Sequence, residues 1–226
     1  MRVAALIPAH NEAERIASTV AATRAVDGIS RVVVIDDGSS DATADIARQA
    51  GAEVLRLERN LGKGGAMQAG LELVRNDVEV VVLLDADLGD TASEGEAILR
   101  PVLESEADMT IAVLPRPLNS GGFGLVKGLA RWGISRLGGG FQALAPLSGQ
   151  RALTRAAWEA STPFASGYGA EVGLTVRALR AGLRVLEIPV TMTHAATGRD
   201  LSGFAHRGRQ FVHVAVALMR LGLERH

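Results

Sequence analysis

A chain of 226 residues can bury one sizeable core, and its 24 Lys and Arg against 25 Asp and Glu leave a formal net charge of −1. That balance argues against a nucleic-acid-binding module, which would carry a basic stripe. The absence of cysteine excludes a disulfide framework, a thiolate metal site and a thiol nucleophile, and a cytoplasmic location, with peripheral membrane contact at most, is the expectation.

The opening stretch "MRVAALIPAHNEAERI" has a short apolar run that meets Pro8 and then charge, so it does not read as a secretory leader. No run reaches the roughly 18 apolar residues of a spanning helix. Arg2–Ile7 predicts a first strand, and Asn11–Val26 a helix with Ile16, Val20 and Thr23 on one face. Arg31–Asp36 predicts a second strand before a helix over Ser40–Gly51, with Ser40 as N-cap and Gly51 as C-cap. Ala52–Glu58 and Val78–Asp85 read as strands three and four, followed by helices over Lys63–Arg75 and Thr91–Glu104, and Ala107–Leu114 as a fifth strand. Near-continuous β-branched runs separated by helices indicate buried parallel strands in a layered α/β sheet.

The second half is less regular. Pro115–Gly124 and Arg136–Gln150 are rich in Gly and Pro and predict loops around a helix at Leu125–Ser135. Gly169–Gly182 predicts a helix and Leu183–Met192 a strand, in which Pro189 favours an edge or a bulge. Gly203–Leu223 predicts a closing helix that is apolar nearly all round, flanked by Arg207, Arg209, Arg220 and Arg225, and too short to span a bilayer. It suits a core or a dimer contact, and an interfacial basic helix is the competing reading.

In open parallel sheets, ligands bind at the carboxyl ends of strands. The polar groups gather there: Pro8-Ala9-His10-Asn11-Glu12 after strand one, Asp36-Asp37-Gly38-Ser39-Ser40 after strand two, and Asp85-Ala86-Asp87 after strand four. The turn "NLGKGG" (Asn60–Gly65) opens a helix, where backbone N–H groups and Lys63 suit an anion. It lacks the hydroxyl residue of a P-loop, and Met67 stands where the dinucleotide fingerprint needs its third glycine. A turn with an N-cap explains the Asp36–Ser40 stretch equally well. Asp85 and Asp87 alternate, so in extended geometry both face one side, and Asp90 reads as the solvated end of the turn. Such a pair serves as nucleophile and acid in dehalogenase-type magnesium phosphatases, but there it ends the first strand. Its other use is to bridge a divalent cation to a nucleotide diphosphate.

The segments "IPAHNEAERI", "VVVIDDGSSDAT", "NLGKGGAMQAGL" and "LLDADL", in this order, closely resemble the nucleotide-sugar half of family 2 glycosyltransferases of GT-A fold. The resemblance implies a single GT-A domain. Its mostly parallel sheet is flanked by helices, with residues 1–114 binding the nucleotide-sugar and residues 115–226 forming a smaller acceptor half and the closing helix. It implies that Pro8, His10 and Glu12 line the nucleoside pocket and that Asp37 accepts uracil N3–H. It further implies that Lys63 flanks the diphosphate or ribose, that Asp85 and Ala86 meet the donor, and that Asp87 holds Mg2+ or Mn2+.

"PLSGQRAL", "FASGYGAEVGL" and "MTHAATGRDL" resemble acceptor-side segments of glucosyl-3-phosphoglycerate synthases, which implies Glu171 beside the transferring sugar and His194 completing the metal shell. Arg116, Lys127, Arg151 and Tyr168 are the candidate acceptor contacts, although "LPRPLNSGGFGLVKG" does not reproduce that family's phosphoglycerate-binding motif. The expected reaction moves a sugar from a nucleotide-sugar such as UDP-glucose to a small anionic acceptor resembling a phosphorylated glycerate. A polyprenyl phosphate, as in dolichyl-phosphate mannose synthases, is the competing acceptor, and the remote alternatives are the phosphatase and a non-catalytic nucleotide-sugar-binding protein. Glu171 is either a general base for inversion or, as the second half's resemblance favours, an anchor for sugar hydroxyls in a retaining enzyme.

Overall fold

The computed structural model describes residues 1–115, 124–164, 169–193 and 202–224. Seven strands form one sheet: β1 (Val3–Ala9), β2 (Ile29–Asp36), β3 (Glu53–Arg56), β4 (Val80–Leu83), β5 (Met109–Val113), β6 (Arg151–Thr154) and β7 (Val185–Pro189). Among the described residues eight α-helices surround them: α1 (Ile16–Arg24), α2 (Thr43–Gln49), α3 (Gly62–Val74), α4 (Gly95–Leu103), α5 (Gly124–Leu137), α6 (Arg155–Ser161), α7 (Ala170–Arg180) and α8 (Ser202–Leu223). A 3-10 helix over Gly89–Glu94 leads into α4.

The strand order is β3-β2-β1-β4-β6-β5-β7. All neighbours run parallel except at β6, which is antiparallel to both β4 and β5. The five expected parallel strands and the late strand are all present, and β7, ending in Pro189, lies on the edge. Neither β6 nor α6 was expected from the sequence.

Continuous apolar strands follow from burial on both faces. In β1, Val3, Ala5 and Ile7 join a cluster with Ile16 and Val20 of α1 and Ile98 and Leu99 of α4. Ala4 and Leu6 point the other way, to Met67 and Leu71 of α3, Trp158 of α6 and Leu174 of α7. A third cluster joins α5, α7 and α8 through Ala130, Ile134, Val172, Val176, Val214 and Leu218.

Local chemistry sets the helix ends. Gly51 has φ 92°, with Gly51 N–H donating to Arg48 O and Ala52 N–H to Ala47 O, a Schellman ending for α2. Ser40 is not the cap of that helix. Its N–H and Oγ both donate to Asn11 Oδ1, and α2 begins behind Ala42, where Asp41 Oδ1 accepts Thr43 N–H at 3.0 Å.

Gly70 marks where α3 meets the sheet: a Cβ there would stand 2.6 Å from Ile35 Cδ1, and Ile35 is fully buried. In an open helix, Gly→Ala gains about 1 kcal/mol. Gly70→Ala is expected instead to cost about 1–3 kcal/mol through overpacking, read as a lower denaturant midpoint; a raised midpoint would show that α3 can lift off freely.

Candidate active site

The strand order reverses between β1 and β4, and the carboxyl ends of β1 to β4 share one edge. Beyond β1 the chain turns through Asn11, whose φ of 57° is left-handed and tolerable for an asparagine. Asn11 N–H donates to Ser39 Oγ at 3.0 Å, and His10 Nδ1 donates to Asp37 O at 2.9 Å. Glu12 N–H donates to Thr43 Oγ1 at 2.8 Å. Three consecutive residues thus stitch the first loop to the second. Pro8 lies within β1 opposite Ile35, half-buried.

Asp37 is buried, and its Oδ1 accepts Leu61 N–H at 2.7 Å, which fixes the start of α3 against the end of β2. Its neighbour Asp36 faces inward, accepting Ser39 N–H at 3.0 Å with Arg56 Nε 3.3 Å from its other oxygen. Asp37, not Asp36, therefore belongs to the crevice side of the pair.

The Asp85–Asp87 stretch is a turn. β4 ends at Leu83, so the two carboxylates do not alternate along a strand as expected. The buried Thr19 pins that turn: its hydroxyl donates to Ala86 O at 2.8 Å and accepts Gly89 N–H at 2.9 Å. Ala86 is buried, Asp85 and Asp87 are half-buried, and Asp90 is exposed as expected.

Lys63, from the first turn of α3, donates to Asp85 Oδ1 at 2.5 Å and stands 3.5 Å from Glu171 Oε1. Burial alone would favour losing its proton, but the carboxylates of Asp85 and Glu171 outweigh it and hold the ammonium above the usual lysine range. Gln150 Nε2 donates to Asp85 Oδ2 at 2.6 Å. Ser148 Oγ donates to Gln150 Oε1 at 3.1 Å, which fixes the orientation of that amide. Asp85 is thus gripped on both oxygens.

Glu12 lies close enough to feel the other acids. Burial first, then the charge on Asp87, raises its carboxyl above the ordinary value; Arg15 opposes this, and Asp41 and Asp85 add to it. Negative potential therefore accumulates where β1 and β4 end.

Arg151 departs from expectation. It is fully buried, donating to Ser148 O at 3.0 Å and Thr175 Oγ1 at 2.9 Å, and a guanidinium with no exposed surface offers an acceptor no contact. Burial pulls it down to about 10, opposed by the charges of Glu171 and Glu187. Glu171 Oε2 and Arg151 Nη2 are both buried without a hydrogen-bond partner among the described residues.

Lys127 is half-buried on α5. Arg116, Tyr168 and His194 lie outside the described residues. Thr19, Ser148, Gly149 and Gln150 are members of this site to which the sequence reading gave no role. The last three lie in the segment "PLSGQRAL", which carries the acceptor-side resemblance, while Thr19 carries no local signal.

These features lie where ligands bind in an open, mostly parallel sheet: carboxylates, a lysine and a helix start at the topological switch point. The chain belongs to glycosyl transferase family 2, whose model matches residues 4–142. It is 31% identical to glycosyltransferase AglJ of Haloferax volcanii, over 88% of this chain and 65% of that protein. It is 30% identical to undecaprenyl-phosphate mannosyltransferase of Micrococcus luteus, over 95% of this chain and 93% of that protein. Its fold matches glucosyl-3-phosphoglycerate synthase of Mycobacterium tuberculosis, crystallised with Mn2+, uridine diphosphate and phosphoglyceric acid. That match has a TM-score of 0.79 and 27% identity, covering 97% of this chain and 78% of that one. The fold is accordingly GT-A and the chain a glycosyltransferase.

A Cβ on Gly149 would land on Lys63 Nζ and stand 3.2 Å from Asp85 Oδ1. Gly149→Ala is expected to part Lys63 from Asp85 and cost about 1–3 kcal/mol. In urea unfolding the midpoint falls, and pairing Gly149→Ala with Lys63→Met should show less than additive loss. Full additivity would show that the glycine and the ion pair are independent.

Proposed function

We propose that this chain transfers a hexosyl group from a nucleotide-sugar of the UDP-glucose kind to a small anionic acceptor, with a divalent cation bound. The observation that carries the reading is the double grip of Lys63 and Gln150 on Asp85, beside Asp87 and within reach of Glu171. In dehalogenase-type phosphatases the carboxylate pair ends the first strand, whereas here it follows β4, and hydrogen bonds on both oxygens hold Asp85 in one orientation toward a donor. The likeness to a synthase solved with Mn2+, uridine diphosphate and phosphoglyceric acid supports the same donor and acceptor class.

In this reading Pro8, His10 and Glu12 border the nucleoside, and Asp37 offers its second oxygen to the base, since Oδ1 is committed to Leu61. Asp85 and Ala86 face the ribose and sugar, and Lys63 lies beside the diphosphate. Glu171 holds sugar hydroxyls, its Oε2 having no partner of its own. Arg116, Lys127 and Tyr168 are the acceptor contacts, and Arg151 acts from inside, as the buried counter-charge beneath Glu171.

The donor set fits a hard cation. Its oxygens are carboxylates; burial first and then the charge on Asp87 raise Glu12, and a divalent ion would relieve the second of these. Asp87, on the turn after β4, is the proposed ligand by resemblance, with His194 its expected companion. Among the described residues no group of three or more His, Asp or Glu is arranged to hold a metal, so phosphate oxygens of the donor would supply much of the coordination. When bound, the cation neutralises charge on the departing diphosphate.

The 30% identity to undecaprenyl-phosphate mannosyltransferase over nearly both whole lengths favours a second acceptor, a polyprenyl phosphate. Thermal unfolding with UDP-, GDP- and ADP-sugars, with and without Mn2+, tests the donor. The expected result is a metal-dependent rise with the UDP-sugar, equivalent to about 2.7 kcal/mol at a hundredfold excess over Kd. Asp87→Ala should abolish the metal dependence of the nucleotide response, measured against the variant's own metal-free melting temperature. No nucleotide response at millimolar ligand would overturn the reading. Product formation with 3-phosphoglycerate against a short polyprenyl phosphate separates the two acceptors, and the product's anomeric configuration decides whether Glu171 anchors or acts as base.

A further inference from the structure

Helix α8 is apolar on two opposite sides. Val214, Leu218 and Leu221 face inward to the cluster shared with α5 and α7, and Ala217 beside them is buried. Half a turn away, Val212, Met219 and Leu223 are exposed by 55%, 62% and 82%. They recur at the seven- and four-residue spacing that keeps side chains on one stripe. α5, packed against α8 where Gly133 admits Leu218, adds Leu125 at 82% and Trp132 at 63%. A helix on the surface of a soluble domain ordinarily turns charges outward at such positions.

The charges that accompany these residues have one sign. Neither helix contains an Asp or a Glu, although acids slightly outnumber bases in the whole chain. Arg131 and Arg136 on α5 and Arg220 on α8 are exposed. An open cleft of about 570 Å³ lies between Arg131, Trp132, Arg136 and Gln142. The first acid beyond the end of α8, Glu224, is taken up by Arg177 at 2.5 Å.

We propose that the outer side of α5 and α8 docks on an anionic lipid bilayer, the exposed aliphatic residues entering the headgroup boundary with Trp132 at its level and the arginines meeting lipid phosphates. Exposed apolar side chains, a tryptophan and acid-free cationic flanks are the elements of an interfacial helix, whose binding adds apolar burial to attraction for anionic lipid. A second copy of this chain is the poorer occupant, because a two-fold contact would press arginine-bearing, acid-free surfaces against each other. No helix among the described residues is long and apolar enough to cross a membrane. The surface is independent of the sugar-transfer reading.

The chain has two tryptophans, and Trp158 is 1% exposed, so a change in emission on binding reports Trp132. With phosphatidylglycerol vesicles the emission should shift to the blue and the full chain should co-sediment. Phosphatidylcholine vesicles should give at least about tenfold weaker partition, and high salt should weaken the anionic case. Met219→Asp, at an exposed site, should lower partition about tenfold or more while leaving the nucleotide-dependent thermal shift intact. No shift with anionic vesicles would overturn the proposal. So would a lipid-free, concentration-dependent dimer in sedimentation equilibrium that Met219→Asp dissociates, since a second copy would then cover the face.

Discussion

A carboxylate at the end of a buried strand must find its counter-charge among whatever elements the fold brings beside it. Asp85 stands two residues past β4, whose residues Val80–Leu83 are all buried, and the charge that meets it comes from Lys63 at the start of α3. The pair is close because the approach is unobstructed: residue 149 has no Cβ, and Gln150 closes on the second oxygen. A half-buried ion pair is partly desolvated, so its attraction counts most where the remaining hydrogen-bonding capacity is also satisfied. Lys63, Gln150 and Ser148 form such a chain, and the crevice is organised around it. The loops after β1 and β2 stitch to each other through Asn11, His10 and Glu12, and Asp37 ties that stitching to α3.

The direction of β6 explains why its leading residues join that chain. In a fully parallel sheet, only residues following a strand reach the carboxyl edge. β6 runs the other way, pairing Leu83 with Arg151, so the segment before it arrives at the edge beside Asp85. The cost of this arrangement falls on Arg151. As the first residue of β6 it is carried inside, against α7, where desolvation disfavours its charge. Thr175 and the carbonyl of Ser148 take two of its donors, and Glu171, one turn before Thr175 on α7, supplies the opposing charge.

Much of this was legible from the residues alone. Parallel strands buried on both faces leave continuous β-branched runs, and turns at their carboxyl ends leave polar clusters, so β1 to β5 and the residues from Pro8 to Asp87 could be placed from pattern. β6 could not. "RALT" is four residues long, follows a Gly- and Pro-rich stretch, and begins with an arginine, a residue whose prior is exposure. That prior also made Arg151 a surface contact for an acceptor. The N-cap at Ser40 failed for a related reason: the pattern that marks a cap is satisfied just as well by a hydroxyl and an N–H that bond to a distant Asn11, and only the approach of the two loops decides between them. The alternation of Asp85 and Asp87 was correct as spacing and wrong as geometry, because Thr19, distant in sequence, holds the stretch in a turn.

α7 connects the crevice to the outer helices, and its sequence shows how. Every residue from Ala170 to Val176 is buried. Ala170 and Leu174 pack toward the sheet, Val172 and Val176 toward α5 and α8, and Glu171 and Thr175 toward Lys63 and Arg151. A helix buried on all sides has no solvent face on which to slide, and close-packed interiors transmit displacement instead of absorbing it. The helix that carries Glu171 is therefore held from the side of α5 and α8 as well as from the sheet. Thr175 donates to the backbone carbonyl of Glu171 and accepts from Arg151, so its hydroxyl ties the backbone that carries Glu171 to the buried guanidinium. In this architecture the position of Glu171 is set as much by the packing of the outer helices as by the sheet on which the crevice is built.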